Sequence, residues 1–443
     1  MTLKSINEFL NEKVTIAPIV TFRVLYGFMM VFSIIRFTLL GWIERQYLEP
    51  SFQFKYYGFE WIVTPPPGIL YAIYIVMFLA AVGIMLGWYY RISTILFFVA
   101  FSYVELLDKS FYLNHYYFIS VVAFILIFVP ANRRLSLDVK YQRVKKVVRI
   151  ERIYLMVLRL QVAVVYFFAG IAKINYDWLI NGMPMRIWLP ANSHIPILGK
   201  LFTWKATAYV FSWFGMLYDT TIVLFLCLKR TRWLAYATVI VFHLMTALLF
   251  PIGVFPIVMI CSALIFFPGE WHEKIVTRLD KHVEQESVRS SSSKPSLRWK
   301  KPILIGFMIL QLLFPIRYLM YPGNLFWTEE GYLFSWRVML TEKLGNAQFY
   351  VTDRKTGKKI HIDNREHLIP TQEKMMSTKP DFIIQYAKYL KQTWIEKGFE
   401  DPIVTADIFV TLNGRRSKRF VDPSVDLALQ EDTWKHKEWI LED

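Results

Sequence analysis

Three basic side chains interrupt oily segments of this sequence and are the residues best suited to proton chemistry. Lys173 falls in FFAGIAKINYDWLINGMPM, residues 167–185, where the apolar run stops and Asn175, Asp177 and a Gly-Met-Pro follow. His115 lies in LNHYYF, and His243 in VIVFHLMTALLF with apolar neighbours on both sides. Burial disfavours the charged form of an amine, so a lysine in an oily pocket can act as a base near neutral pH. Such a base needs a weak acid brought from the lipid phase, and a reduced quinone, bilayer-soluble with a phenolic proton, has that character. Each residue also has a structural reading. Lys173 can snorkel to an interface and complement a helix C-terminus. His115 can be an interfacial residue beside aromatics, and His243 a hydrogen bond between helices.

The elements that must position these residues are membrane spans. Of the 443 residues, 55% are hydrophobic and only 19% charged, and the mean hydropathy is +0.33. The oily residues cluster in runs long enough to cross a bilayer. We count about nine, near 19–43, 69–90, 92–108, 112–130, 151–172, 205–228, 231–250, 252–268 and 302–320. The formal charge of +16 comes from basic residues dispersed between the spans, a pattern that fits anionic headgroups and cytoplasmic loops and argues against nucleic acid. Residues 131–149 hold seven Lys or Arg against one Asp, 228–232 add three and 270–301 add eight. All three loops fall on one side of a nine-span chain, which the positive-inside rule makes cytoplasmic. The N-terminus is then cytoplasmic, and Lys173, His115 and His243 gather near the opposite, outward ends of their spans.

The sequence therefore divides into a membrane domain of eight spans (1–268), a charged, serine-rich cytoplasmic linker (269–301), a ninth span (302–320) and an extracytoplasmic α+β domain (321–443). In the last, QFYVTDRKTGKKIHI reads as two strands around a Lys-Thr-Gly turn, and ADIFVTLNGRRSKRFVDP as two more around Asn413-Gly414. DFIIQYAKYLKQTWIEKG, 381–398, has helical spacing ending at glycine. The fold class is thus mainly α, a polytopic bundle with a small α+β appendage. Cys227 and Cys261 lie within apolar runs and read as small buried hydrophobes rather than a disulfide. MTLKSINEFLNEK is too polar for a cleavable signal. No nucleotide loop, zinc-protease, nucleophile-elbow or Cys/His metal spacing occurs, so no metal is expected.

The run LRLQVAVVYFFAGIAKINYDWLINGMPM, 158–185, resembles the core signature of the vitamin K-dependent gamma-glutamyl carboxylases and of the wider horizontally transferred transmembrane domain family. LLDKSFYLNHYYF (106–118), FVPANRRLSLD (128–138), FHLMTALLFPIGVFP (242–256), LFWTEEGYLFSWRVML (325–340) and KRFVDPSVDL (418–427) resemble further blocks in the same order. The resemblance implies a bacterial inner-membrane homologue. It would oxidise vitamin K hydroquinone, phylloquinol or menaquinol, with O2 to the epoxide, and use the strong base so formed to deprotonate a glutamate that takes up CO2. Lys173 matches the family's base, and His115 with Asn114 the residues that stabilise the oxygenated vitamin. His243, Tyr112 and Tyr166 would border the cofactor. Trp327, Tyr332, Ser335, Trp336 and Arg337 would face a Glu-containing protein or peptide, with Arg337 suited to a carboxylate. Ala172 replaces the animal enzymes' second lysine, Tyr318 a histidine of relatives and Tyr112 a tryptophan. The chain also ends at Asp443 without the animal enzymes' long lumenal extension or disulfide, so the resemblance does not carry over propeptide docking or processive carboxylation of a clotting-factor-like substrate. A quinol epoxidase-type oxygenase without carboxylation, and a non-enzymatic quinone- or lipid-binding membrane protein, are the alternative readings. A proton-relay transporter lacks the repeats and paired broken helices that such proteins use.

Overall fold

The computed structural model describes residues 3–280 and 299–443. Among them, six helices are long and apolar enough to cross a membrane: Ala17–Leu39, Pro67–Leu86, Arg152–Ala172, Lys205–Cys227, Arg232–Leu249 and Lys300–Met320. Phe255–Phe266 and Gly269–Leu279 form a further apolar pair bent by 107°. The expected count of nine is therefore not confirmed. The runs at 92–108 and 112–130 do carry helices, but Tyr90–Glu105 has 16 residues and Asn114–Phe128 has 15. At 1.5 Å per residue both fall short of a hydrocarbon core of about 30 Å. The missing length goes into a turn between them, where Asp108 accepts a hydrogen bond from Ser110 N and caps the short helix Lys109–Phe111.

The first part of the expected linker, 269–280, is ordered helix instead. Gly269–Leu279 is a helix seated on the bundle, with His272 and Val276 buried. Two of its acids are held by the bundle, while Glu270, Lys274 and Arg278 stay exposed. Glu273 pairs with Arg134 at 2.5 Å and accepts from Thr15 Oγ1 at 2.8 Å, and Asp280 pairs with Lys146 at 3.0 Å. The run of charge is the polar face of an amphipathic helix. The serine-rich remainder, 281–298, lies outside the described residues. Nearby, Lys13–Thr15 pairs antiparallel with Arg149–Glu151 and ties the first span to the start of the Lys173 helix. Cys227 is exposed and Cys261 half-buried, not enclosed as expected, because both lie on outward faces of apolar helices, where a thiol meets hydrocarbon.

The C-terminal domain follows the sequence pattern closely. Its four-stranded antiparallel sheet runs Lys359–Ile362, Lys343–Thr352, Ile403–Leu412, Lys418–Arg419. Alternate residues Val404, Ala406, Ile408, Val410 and Leu412 are buried, the period-two signature of a sheet with one covered face. The cover is the helix Pro380–Glu396, which contributes Phe382, Ile383, Tyr386 and Leu390 to the same core. Asn413 and Gly414 both have positive φ (50° and 72°), as the hairpin signal requires.

In the bundle, the helices that matter most for the site are Arg152–Ala172 and Lys205–Cys227, which meet at Gly170. A Cβ on Gly170 would lie 2.6 Å from Thr220 N and 3.0 Å from Asp219 C, so only glycine permits this approach. Gly170→Val should therefore lower stability by about 1–3 kcal/mol through overpacking. Thermal unfolding of the detergent-solubilised protein checks this, and an unchanged Tm would mean that the two helices do not touch there.

Candidate functional site

Lys173 caps the C-terminus of its helix, its N–H bonded to Gly170 O at 3.0 Å. Asn175 then closes two helix ends at once. Its Nδ2 donates to Ala172 O at 3.0 Å, and its Oδ1 accepts from Trp178 N at 2.9 Å to start the helix Tyr176–Leu179. This turn folds the lysine inward. The side chain is buried, its Nζ donating to Asp219 Oδ2 at 2.8 Å and to Ala169 O at 3.2 Å, with the Trp178 ring centroid 5.3 Å away. A snorkelling lysine would reach for the interface; this one is held in a buried ion pair. Asp219 was not among the sequence candidates. Its signal was there, a lone acid in the apolar run WFGMLYDTTIVLFL, which deserves the same suspicion as an intramembrane base.

Lys173 and Asp219 border a cavity of about 290 Å³ whose wall is almost entirely apolar. The other polar groups on it are the Tyr166–His243 pair and Thr246. Tyr166 Oη and His243 Nε2 are 3.0 Å apart, and His243 Nδ1 is buried without a hydrogen-bond partner. The cavity reaches the protein surface between two apolar helices, since Val210 and Val241 on its edge are 64% and 63% exposed. His115 does not line it. Its ring lies 5.8 Å from that of Phe255, which does line it and which is itself 5.5 Å from His243. His115 Nε2 is likewise buried and unpartnered. The structure thus brings Lys173, Tyr166 and His243 to one space, with His115 one ring behind.

Asn114 and Tyr112 do different work. Asn114 Nδ2 donates to Arg337 O at 3.0 Å, Asn114 Oδ1 accepts from Tyr112 Oη at 3.2 Å, and Tyr112 Oη accepts from Phe334 N at 3.0 Å. Together they fasten the segment 329–340 to the bundle. That segment is strained, with positive φ at Glu329, Phe334, Trp336 and Met339 (55°, 57°, 59° and 50°) as well as at Gly331. Each such non-glycine residue costs about 1–3 kcal/mol and persists only where its surroundings fix it. Gly331 has no alternative, because a Cβ there would lie 2.8 Å from Tyr318 Cα.

The five predicted acceptor residues separate. Trp327 belongs to the core of the C-terminal domain, its Nε1 donating to Leu441 O at 2.7 Å. Trp336 is wholly buried and stacks on Tyr117 at 4.7 Å, and Ser335 Oγ donates to Tyr332 O. Arg337 is buried with its guanidinium 4.1 Å above the Tyr318 ring, and among the described residues no carboxylate pairs with it. Tyrosine at 318 thus gives this arginine an aromatic face to rest on. Val338 and Met339 line the cavity. Tyr332 instead lines a second, more polar pocket of about 270 Å³ between the bundle and the C-terminal domain. There, burial alone would raise the Glu329 carboxyl, but Lys379 at 2.5 Å and Lys343 at 3.3 Å hold it below its ordinary range.

The C-terminal domain also grips the turn after Lys173. Asp177 accepts from Asn413 Nδ2 at 2.8 Å and from Arg415 Nη2 at 2.8 and 2.9 Å, so the hairpin tip rests on the loop that aims the lysine.

The arrangement offers a paired amine and carboxylate, two buried imidazoles with free ring nitrogens, and an apolar space suited to a flat, oily ligand. Among the described residues no group of three or more His, Cys, Asp or Glu is placed to hold a metal ion. Comparison with solved structures gives no match. Two family models do match, the HTTM domain over residues 11–271 and the vitamin K-dependent gamma-carboxylase lumenal domain over 297–443. With both halves of the chain accounted for in this order, the protein belongs to the vitamin K-dependent gamma-carboxylase family.

Proposed function

We propose that the chain is a multi-pass membrane enzyme that couples oxidation of vitamin K hydroquinone to carboxylation of glutamate side chains, with its C-terminal domain outside the cytoplasm. The observation that carries this reading is the Lys173–Asp219 pair, buried at 2.8 Å on the wall of an apolar cavity that opens where a bilayer would lie. The lining fits a fused aromatic ring and an apolar tail, and unpartnered His243 Nδ1 is a polar group still free for a ring oxygen. When bound, the hydroquinone supplies with O2 the strong base that removes the glutamate proton.

The chain's own residues prepare that chemistry. Lys173 Nζ takes the phenolic proton, which requires the amine to be neutral beforehand. Asp219 Oδ2 makes this possible without a change of net charge, because the single proton of the neutral pair can rest on the carboxylate. After the transfer the pair holds both protons. Burial excludes water that would otherwise compete for them. His243 is oriented by Tyr166, and His115, behind Phe255, is positioned to act only if that ring moves. Arg337, a buried cation lacking a carboxylate, fits the acceptor glutamate.

Purified protein given vitamin K hydroquinone, O2, labelled bicarbonate and a short Glu peptide should yield both epoxide and labelled peptide. Epoxide without label would leave the oxygenase alone, and neither product would leave a binding protein. Lys173→Ala should slow epoxide formation at neutral pH by about 10²–10⁴-fold with the fold intact. Full activity in that variant would remove the lysine from the mechanism. Asp219→Asn takes away the one carboxylate within hydrogen-bond reach of the amine among the described residues and should slow epoxide formation with the fold intact. An unchanged rate in that variant would give Asp219 a structural role only.

A further inference from the structure

At the end of the bundle away from the C-terminal domain, three cations gather that no acid balances. Arg91 lies in the first turn of Tyr90–Glu105, Arg133 follows Asn114–Phe128 in the block FVPANRRLSLD, and Lys300 begins the last span. Arg91 is within Coulombic reach of Arg133, and Lys300 of both. All three are half-buried. Among the described residues none of them forms an ion pair or donates a side-chain hydrogen bond, and no carboxylate is among the charges acting on Arg91 or Lys300. Their sequence neighbours behave otherwise. Arg134 pairs with Glu273 at 2.5 Å, and Lys301 with Glu151 at 3.1 Å. Like charges drawn together and partly out of water repel one another, so this group is suited to an anion from outside the chain.

Beneath the cations the surface is apolar. Seven residues, two helical turns, separate Arg91 from Phe98 and Lys300 from Phe307, so each ring shares a helix face with its cation about 10 Å deeper in the bundle. Phe124 sits between the two rings, its centroid 5.5 Å from that of Phe98 and 4.6 Å from that of Phe307. One turn below the cations, Ile95 and Ile303 are exposed. The short helix Asn114–Phe128 thus floors a groove whose head is cationic and whose length is oily.

We infer that Arg91, Arg133 and Lys300 bind the phosphate of an anionic glycerophospholipid, whose acyl chains run over Phe124 between the helix of Arg91 and the last span. A lipid is favoured over a free phosphate by the exposed apolar surface that continues directly from the cations. The site faces the leaflet opposite the C-terminal domain, the cytoplasmic one in the proposed orientation. A phosphate there ties the last span, which carries the C-terminal domain, to two other helices of the bundle. The inference does not depend on the reaction that the protein performs.

Native mass spectrometry of the full-length protein released from detergent, titrated with phosphatidylglycerol or with phosphatidylcholine of the same acyl chains, tests it. Phosphatidylglycerol should bind at least about tenfold more tightly, the scale expected of two or three cations on one anionic headgroup. Arg91→Gln and Lys300→Gln should each remove most of that preference. Lys229→Gln combined with Arg230→Gln, which removes two exposed cations at the same end of the bundle, should leave it intact. Phosphatidylglycerol should also raise the Tm of the unsubstituted protein and not that of Lys300→Gln. Without lipid the Tm of that variant should be no lower, because the substitution removes a repulsion and no bond. Equal affinity for the two lipids, a preference that survives Arg91→Gln and Lys300→Gln, or an equal loss in the Lys229 and Arg230 variant would overturn the site. Displacement of the lipid by excess inorganic phosphate would overturn its assignment to a phospholipid.

Discussion

An ammonium and a carboxylate facing each other at 2.8 Å inside a helical bundle form an arrangement that tolerates little error. Taking both charges out of water costs several kcal/mol per ion, and their attraction offsets this only when the geometry is good and remaining protons are bonded. Here the geometry depends on a backbone contact one turn earlier. Gly170 lets the Arg152–Ala172 helix lie directly on Asp219 and Thr220, so that the carboxylate is at hand as the helix ends. Asn175 then reverses the chain and Ala169 O accepts a further hydrogen bond from the amine. A buried pair of this kind is weak evidence for stability. In the proposed function it serves as a reserve of one movable proton placed in an oily space.

The remainder of the structure keeps that space in register. The C-terminal domain is not a loose appendage, because Asp177, just past the lysine, is clasped by Asn413 and Arg415 from the hairpin tip. On the other side, Lys109 pairs with Asp381, and Gln372 Nε2 donates to Asp108 Oδ2 at 2.8 Å. The strained segment 329–340 is threaded between these clasps and fastened by Tyr112 and Asn114. Four non-glycine residues of positive φ in so short a stretch are tolerable only with that support.

Much of this was legible in the sequence, and what was missed has physical causes. Membrane class, the two hairpins and the Pro380–Glu396 helix follow from local patterns of hydrophobicity and turn residues, and the structure reproduces them. The register that joins Lys343–Thr352 to Ile403–Leu412 is a pairing across two helices that no local signal encodes. The span count went astray where apolar residues at 106–113 served a capped turn and not a helix. The start of the expected linker, 269–280, is a helix, because charge alone does not distinguish a solvated segment from the polar face of an amphipathic helix. In the site, Lys173 and His243 stand out in the sequence as bases in or beside apolar runs, whereas Asp219, which pairs with the buried Lys173, lies 46 residues away on another helix. Asn114 and Tyr112 were expected beside a ligand, yet their side chains are spent on backbone atoms of 334 and 337.

These features converge on the segment 329–340, which forms part of the wall of two chambers at once. Tyr332 to Phe334 face the charged pocket, and Val338 and Met339 face the apolar one. Between them sit Trp336, stacked on Tyr117, and Arg337, resting on Tyr318. In the carboxylase reading proposed above, this partition, only a few residues thick, strained in backbone and pinned from both domains, would stand between a water-soluble acceptor and the oily ring of the cofactor.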